Sequence, residues 1–327
     1  MYKNRIELYG RLEDKLNSKL LVYITGDRQG FEAQIGGDVV DYFIEQLDKI
    51  GVVKKLTLYL YTRGGSVSVA WNIVNLLRLF CDELQVVIPH KARSAGTLIS
   101  IGANSIVMTK QATLGPIDPS LNGPLNPVIP FSHQTYPVSV EAVKGYIAFA
   151  KKELAITDNI ALSNLMIKLS ETVHPLVLGQ VYRTQAQIKM LAKKLLNNQL
   201  TDKHKIQRIT SFLCSDSGSH DYTINRREAS NLGLNIVKPN KDEYLMIKAI
   251  YDDIADELGL GQPEKPKDDY DVTRSLLESI AGGCHYYKTC GKRSVIPIGP
   301  TNPEEVIKDE RTFDGWKYEP ATAANTR

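Results

Sequence analysis

The sequence predicts an α/β protein built on a parallel sheet and followed by a mostly helical part, and three observations carry that prediction. Short apolar runs bounded by turn residues recur at 20–25 (LLVYIT), 56–61 (LTLYLY), 84–89 (LQVVIP) and 106–108 (IVM). Between them lie stretches whose apolar residues return at helical intervals, 38–50 (DVVDYFIEQLDKI) and 66–80 (SVSVAWNIVNLLRLF). Strands that are apolar on both faces and alternate with helices are the pattern of βαβ units stacked around a buried parallel sheet, with right-handed crossovers.

Taken in order, the strand at 20–25 leads to the helix at 38–50, with Asp38 placed to cap its start. The strand at 56–61 ends at the turn TRGGS and feeds the helix at 66–80, and the strand at 84–89 ends at the turn HKARSAG, from which a helix runs from about residue 95. After the short strand at 106–108, TLGPIDPSLNGPLNPVIP is too dense in Pro and Gly for regular structure and reads as a surface loop beside the preceding turn. From 139 to 213 the pattern is helical almost throughout, and a further helix is expected at 243–258. Beyond Gly261 the charged, proline-bearing PEKPKDDYD reads as a linker, and IPIGPTNPEE and EPATAANTR as sequence of low order. The expected division is a βαβ core over 1–138, a helical extension over 139–261 that packs on the core and offers an oligomer contact, and a linker with a weakly ordered tail over 262–327.

Composition narrows the function classes. With 327 residues, 43% hydrophobic and 24% charged, the chain can bury a sizeable core. Forty Lys and Arg against 37 Asp and Glu leave a net charge of +3, too small and dispersed for a nucleic-acid surface, and Lys151-Lys152 and Lys193-Lys194 read as solvated helix faces. The start, MYKNRIELYGRLEDKL, lacks the apolar centre of a signal peptide, and no run reaches the ~18 apolar residues of a spanning helix, so a cytoplasmic protein with no transmembrane segment is expected. The four cysteines, Cys81, Cys214, Cys284 and Cys290, are scattered as reduced thiols would be. Cys284, His285 and Cys290 form half of a metal-site pattern with no second pair to complete it, so neither metal nor cofactor is expected.

Two turns carry the chemistry, and both lie just past the carboxyl ends of predicted strands, where open parallel sheets place their sites. In Thr62-Arg63-Gly64-Gly65-Ser66, paired glycines let backbone N–H groups point outward to form an oxyanion hole. In Lys91-Ala92-Arg93-Ser94-Ala95-Gly96-Thr97, a serine stands at a strand-to-helix turn, followed by small residues that leave room for a substrate backbone. Each signal alone has a plain structural reading, a tight turn in one case and a helix N-cap in the other. In this order and about thirty residues apart they point to acyl transfer by Ser94, with Gly65 and Ala95 as donors and Gly64 beside them.

The segments YLYTRGGSV, VVIPHKARSAGTLISIGANSIVM and ATLGPIDPSL resemble peptidases of the Clp and signal peptide peptidase A fold, and within it the serine dehydrogenase proteinase family. HPLVLGQVYRTQAQIKMLAKKLL (174–196) and SHDYTINRREASNLGL (219–234) are similar to that narrower family, so the resemblance spans roughly residues 20–240. It implies a Clp/crotonase-like fold, a serine endopeptidase with Ser94 as nucleophile and an oxyanion hole at Gly64, Gly65 and Ala95, acting on protein or peptide substrates as a homo-oligomer. Where the Clp branch has its histidine this chain has Ile117 and Asp118, so a Ser-His-Asp triad of that layout is not expected, and Asp118 reads as a loop-fixing residue. The signal peptide peptidase branch uses a buried lysine further on, and Lys144, fifty residues after Ser94, is the corresponding candidate base. Its plain alternative is a solvated surface lysine, and His133 and His220 are rival bases. Asp221 beside His220 is no sign of an oriented pair, because adjacent residues do not face each other, and His174 before Pro175 reads as a helix-end residue. Two other functions fit the same fold: a catalytically inactive scaffold or regulatory subunit, and an acyl-CoA enzyme of the crotonase type, against which the SAGT segment argues. No GxxxxGK[ST] motif is present, so the activity is expected to be ATP-independent by itself.

Overall fold

The computed structural model describes residues 1–117, 120–121, 123–129, 134–216, 219, 221–262, 269–299 and 302–321. The first elements are α1 (Tyr2–Leu16), β1 (Lys19–Thr25), α2 (Val40–Ile50), β2 (Val53–Tyr61), α3 (Val67–Leu79), β3 (Cys81–Ile88), β4 (Lys91–Ala92), α4 (Ala95–Ile101), β5 (Ser105–Met108) and β6 (Thr113–Leu114). Next come β7 (Ser120–Leu121), β8 (Val138–Ser139), α5 (Val140–Lys152), α6 (Asn159–Thr172), α7 (Pro175–Leu196), α8 (Lys203–Ser211) and β9 (Ile224–Asn225). The chain closes with α9 (Arg226–Leu232), β10 (Ile236–Val237), α10 (Lys241–Leu258), β11 (Asp269–Ser279), β12 (Gly283–Gly299) and β13 (Asn302–Glu319). Two compact units result, one formed by Met1–Leu114 with the residues from Asn225 on, the other by Gly115–Ile224.

The first unit holds an eight-stranded sheet in the order β10-β5-β3-β2-β1-β11-β12-β13. The five strands from β10 to β1 are parallel, in registers such as Leu21↔Leu58, Leu58↔Val86 and Val87↔Val107. This is the α/β class and the sequential βαβ order that the sequence predicts. Alternation of side chains sorts the strands into two faces. Leu20, Val22 and Ile24 of β1 join Tyr59, Val87 and Val107 in a core with Tyr9 and Leu12 of α1 and Ile247, Ile250 and Ile254 of α10. Tyr23 points to the opposite face and meets Phe43 of α2 edge to face at 5.1 Å.

One charge cluster crosses the first of these faces. Arg5 of α1 is fully buried and donates to Glu278 of β11 (Nε to Oε1, 3.0 Å) and to Asp253 and Glu257 of α10 (2.5 and 2.6 Å), while Tyr9 donates to Glu278 at 2.5 Å. Burial drives the Glu278 carboxyl above the usual carboxylate range, opposed by Arg5 and by the hydrogen bond from Tyr9.

Three features depart from the sequence expectations. Asp38 does not cap α2: the helix begins after Val39 with no side-chain cap, and Asp38 accepts from the indole Nε1 of Trp316 (2.7 Å), a partner far along the chain. The N-terminal stretch, read only for targeting, is the helix α1, whose buried side is Tyr2, Arg5, Tyr9 and Leu12. Most of the stretch expected as linker and tail is β11, β12 and β13, with β11 antiparallel to β1 (Val22↔Glu278) and the three strands paired in turn. The charged segment KDERTFDGWKYE belongs to the outermost strand, where charged side chains discourage further edge pairing. The stretch Asn225–Leu258, expected with the helical extension, is part of the first unit.

The second unit is mainly helical, as predicted for 139–213. Ser139, Asp158 and His174 cap α5, α6 and α7 by accepting from the amides of Ala142, Ala161 and Leu176. Val138, Val140, Val173, Val177 and Val181 form its small core, and β7 pairs with β8.

Candidate active site

Ser94 sits where β4 gives way to α4. β4 pairs with β6 and forms a bridge to the end of the neighbouring strand, Thr62 donating to Lys91 O (3.1 Å) and Arg93 donating to Thr62 O (3.1 Å). The chain then turns sharply, with Ser94 at φ 52° and ψ −114°. A non-glycine residue at positive φ is uncommon and costs about 1–3 kcal/mol, which the surrounding bonds must offset. A serine so placed between strand and helix has the geometry of a nucleophile elbow, which lifts the hydroxyl clear of the backbone. The N-cap alternative is answered directly: the Ser94 side chain makes no cap hydrogen bond, and among the described residues its Oγ has no hydrogen-bond partner. Ser94 is half-buried.

The paired glycines lie against it. A Cβ at Gly64 would stand 2.8 Å from Ser94 Cβ and 3.3 Å from its Oγ, and a Cβ at Gly65 would stand 2.4 Å from Ile35 N. Their φ values, 117° and 147°, are ones that side chains disfavour. Ile35 forms a parallel bridge with Gly65, donating to Gly64 O (2.9 Å) and accepting from Ser66 N (2.8 Å). A parallel bridge of this kind engages the groups on either side of Gly65, so the N–H of Gly65 itself faces away from Ile35. Among the described residues neither the Gly65 nor the Ala95 amide donates to another group. The Gly64 amide differs, being turned inward to Thr62 Oγ1 at 3.0 Å. Of the three residues predicted for an oxyanion hole, Gly65 and Ala95 thus offer amides and Gly64 offers the close approach.

Support comes from beneath the turns. Thr25 donates to Thr62 Oγ1 (2.7 Å), and Gly96 lets α4 come so near Thr62 that an added Cβ would lie 2.4 Å from its methyl. Thr97 Oγ1 donates to Ala92 O (2.9 Å). Lys91, three residues before Ser94, donates to Asp27 Oδ2, which also accepts from Tyr61 OH (3.0 Å). Burial alone would raise the Asp27 carboxyl, but the hydrogen bonds and charge of Lys91, with Tyr61 and Arg63, hold it below the usual range. Beside this pair His90 stacks on Tyr251 at 5.6 Å, and burial, followed by the charge of Lys91, lowers its pKa. Asp27 was missed from the sequence because it stands in an undistinguished loop, far from either motif.

Lys144 belongs to the second unit, on α5, where it is half-buried and donates to Ser215 Oγ at 3.3 Å. His133, His220 and Asp118 lie outside the described residues. His174 is the N-cap of α7, as its place before Pro175 suggests. Cys284 and His285 face opposite sides of β12, Cys284 among the residues of α1 and α10, and His285 between Gln46 Nε2 (3.2 Å) and Glu45 Oε2 (3.0 Å). Among the described residues no three His, Cys, Asp or Glu side chains gather as metal ligands.

Comparison with known proteins places this segment in context. Residues 47–151 match the family model described as ClpP-like SDH-type serine proteinase, and both turns and Lys144 fall within the matched residues. Two proteins of Methanocaldococcus jannaschii, both named as uncharacterized, are 28% identical over 201 residues and 24% identical over 181 residues. These alignments take in 61% and 55% of this chain, and the chain spans 59% and 51% of the relatives' own lengths. Among solved structures, a membrane-bound stomatin-specific protease is similar at 15% identity and TM-score 0.39, over 70% of this chain and 85% of that one. ClpP1 of Listeria monocytogenes is similar at 14% identity and TM-score 0.38, over 71% and 99%.

Proposed function

We propose that this chain is a serine endopeptidase that cleaves protein or peptide substrates through an acyl-enzyme on Ser94. The observation that carries the proposal is the Ser94 turn itself: a serine at positive φ, its hydroxyl uncommitted to any cap, packed against Gly64 and flanked by the uncommitted amides of Gly65 and Ala95. In this mechanism Ser94 Oγ attacks the scissile carbonyl carbon as its proton passes to the base. The carbonyl oxygen, now carrying the charge, is held by the Gly65 and Ala95 N–H groups. The C–N bond then breaks, the base returns the proton to the leaving amine, and water enters to hydrolyse the ester by the same route in reverse.

Lys144 is our choice of base, on its position in the family-matched segment and on its half-buried place beside Ser215. To act as base the amine accepts the Ser94 proton in its neutral form. The same proposal includes a cytoplasmic homo-oligomer that needs no ATP for peptide cleavage. The oligomer is supported by α6, which exposes Ile160 (72%) and Ile167 (59%) and buries none of its residues. Among the described residues no helix is long and apolar enough to cross a membrane.

The test is intact-mass analysis after treatment with a fluorophosphonate. Labelling of wild type that disappears in both Ser94→Ala and Lys144→Ala is the expected result. Labelling lost only in Ser94→Ala moves the base to His133 or His220, and a folded wild type that takes no label overturns the peptidase proposal. Light scattering of Ile160→Glu/Ile167→Glu checks the oligomer, which this pair of charges should disperse.

A further inference from the structure

We infer that Arg274 is a positioning residue for the oxyanion strand: from the β-strand region outside the family-matched segment, its guanidinium clamps the backbone that sets the direction of the Gly65 amide. The inference rests on the reading of Gly65 as an oxyanion donor and extends it to a residue that touches neither nucleophile nor substrate.

The segment between Gly26 and Gly36 has no helix or strand of its own, only the single bridge of Ile35 to Gly65. Its backbone groups must therefore find partners elsewhere, and β11 supplies them. Arg274 Nε donates to Phe31 O (3.1 Å) and Nη2 to Glu32 O, so one fork takes two successive carbonyls. The Arg274 carbonyl accepts from Gly26 N (2.7 Å), and Gly26 O in turn accepts from Ala33 N (2.8 Å). That closeness needs glycine, because a Cβ on Gly26 would lie 2.8 Å from Arg274 O. Two residues after Ala33 the same segment reaches Ile35, whose N–H and C=O hold Gly64 and Ser66 on either side of Gly65.

Arg274 is itself held on its far side. Its Nη1 lies 3.7 Å from Asp314 Oδ1, and its guanidinium lies 5.6 Å from the Tyr287 ring centroid. Asp314 accepts from Thr289 (2.7 Å) and Arg311 (3.0 Å), so its carboxylate stands still before Arg274 engages it. The load path runs from the β12–β13 pair through Arg274 to the 31–35 backbone and on to Gly65. A planar fork that takes two carbonyls at once is a geometry that lysine cannot reproduce.

The experiment compares wild type with Arg274→Ala and Arg274→Lys, the second keeping charge and stem so that the answer does not depend on how well the alanine variant folds. Two quantities are measured on the full chain: amide hydrogen exchange of peptides containing Ile35 and Ser66, and the rate of fluorophosphonate labelling. We expect exchange at both amides to rise at least tenfold in the variants while peptides from β2 and β3 keep their wild-type protection. We expect labelling to slow by roughly ten- to a hundredfold, less than the 10²–10³ typical when an oxyanion donor is deleted outright. Unchanged exchange at Ile35 and Ser66 overturns the inference, as does wild-type labelling by a variant whose bridge has loosened. If wild type takes no label the peptidase proposal fails by itself, and the exchange data still decide whether Arg274 holds the strand.

Discussion

A single methyl group at Gly64 should silence the nucleophile while leaving the fold in place. In Gly64→Ala the new Cβ would fall 2.8 Å from Ser94 Cβ and 3.0 Å from Arg93 O. Carbon atoms rest at about 3.5–4.0 Å, so the two chains must part by about 0.7 Å or more. The φ of 117° adds strain of about 1–3 kcal/mol for a residue with a side chain. The opposite wall offers little relief, since Ile35 N and Ser66 N bond the backbone on either side of Gly65. The displacement therefore falls on the Ser94 turn, which already holds a strained φ. Misplacement of reacting groups by about 1 Å costs on the order of 10² in rate, so fluorophosphonate labelling should slow about a hundredfold. Its pseudo-first-order rate can be followed by intact mass beside a thermal melt. A variant that melts within a few degrees of wild type and labels within about threefold of its rate would refute this account of the contact.

Three further outcomes follow from other parts of the molecule. Arg5→Ala strands the fully buried Glu278 carboxylate and should cost about 3–5 kcal/mol in urea unfolding, whereas a loss below about 1 kcal/mol would mean that water or a rearranged α10 replaces the arginine. Asp27 has its folded pKa depressed below the ordinary value of about 3.9, so its contribution to stability is complete above that pH and is lost as pH falls through the folded value; Asp27→Asn should flatten the acid limb of the melting curve below about pH 4. Gly179 lies in α7 with nothing within 4 Å of an added Cβ, so Gly179→Ala should stabilise by about 0.5–1 kcal/mol, and a lower melting temperature would show that the helix surface is covered in the assembled protein.

Periodicity made four of the five parallel strands legible because β1, β2, β3 and β5 carry runs buried on both faces, whereas β10, two residues long, leaves no such run. The two turns were legible for a different reason: glycine pairs and a serine before small residues have few physical uses in that order. Partners hundreds of residues apart were beyond such local signals. Asp38 looked like a cap because caps are local, yet the indole of Trp316 reaches it first. Arg5 reads as one more charge in a polar N-terminus, and nothing nearby announces that Glu278 will be its buried partner. The region after Gly261 reads as linker and tail because PEKPKDDYD and IPIGPTNPEE carry charge and proline, and it is the pairing of β11 with β12 and of β12 with β13 that orders the described part of it. The inward turn of the Gly64 amide is finer still, set by one hydroxyl two residues away.

The residues of the Ser94 site and those that support it are separable along the chain, and strain explains why. A serine held at φ 52° relaxes unless its neighbours over-determine it. Local bonds do part of this, through the Thr62–Ala92 bridge and Thr97 on Ala92. Thr25 on Thr62 and the pairing of β4 with β6 tie these turns to neighbouring strands. Two further anchors come from more distant parts of the chain, Asp27 on Lys91 from the loop after β1 and the 31–35 backbone held by Arg274 from β11. Both anchors lie outside residues 47–151, the stretch that matches the serine proteinase family. Part of the bracing of the Ser94 turn thus comes from one loop after the first strand and from the antiparallel strands on the far side of the sheet.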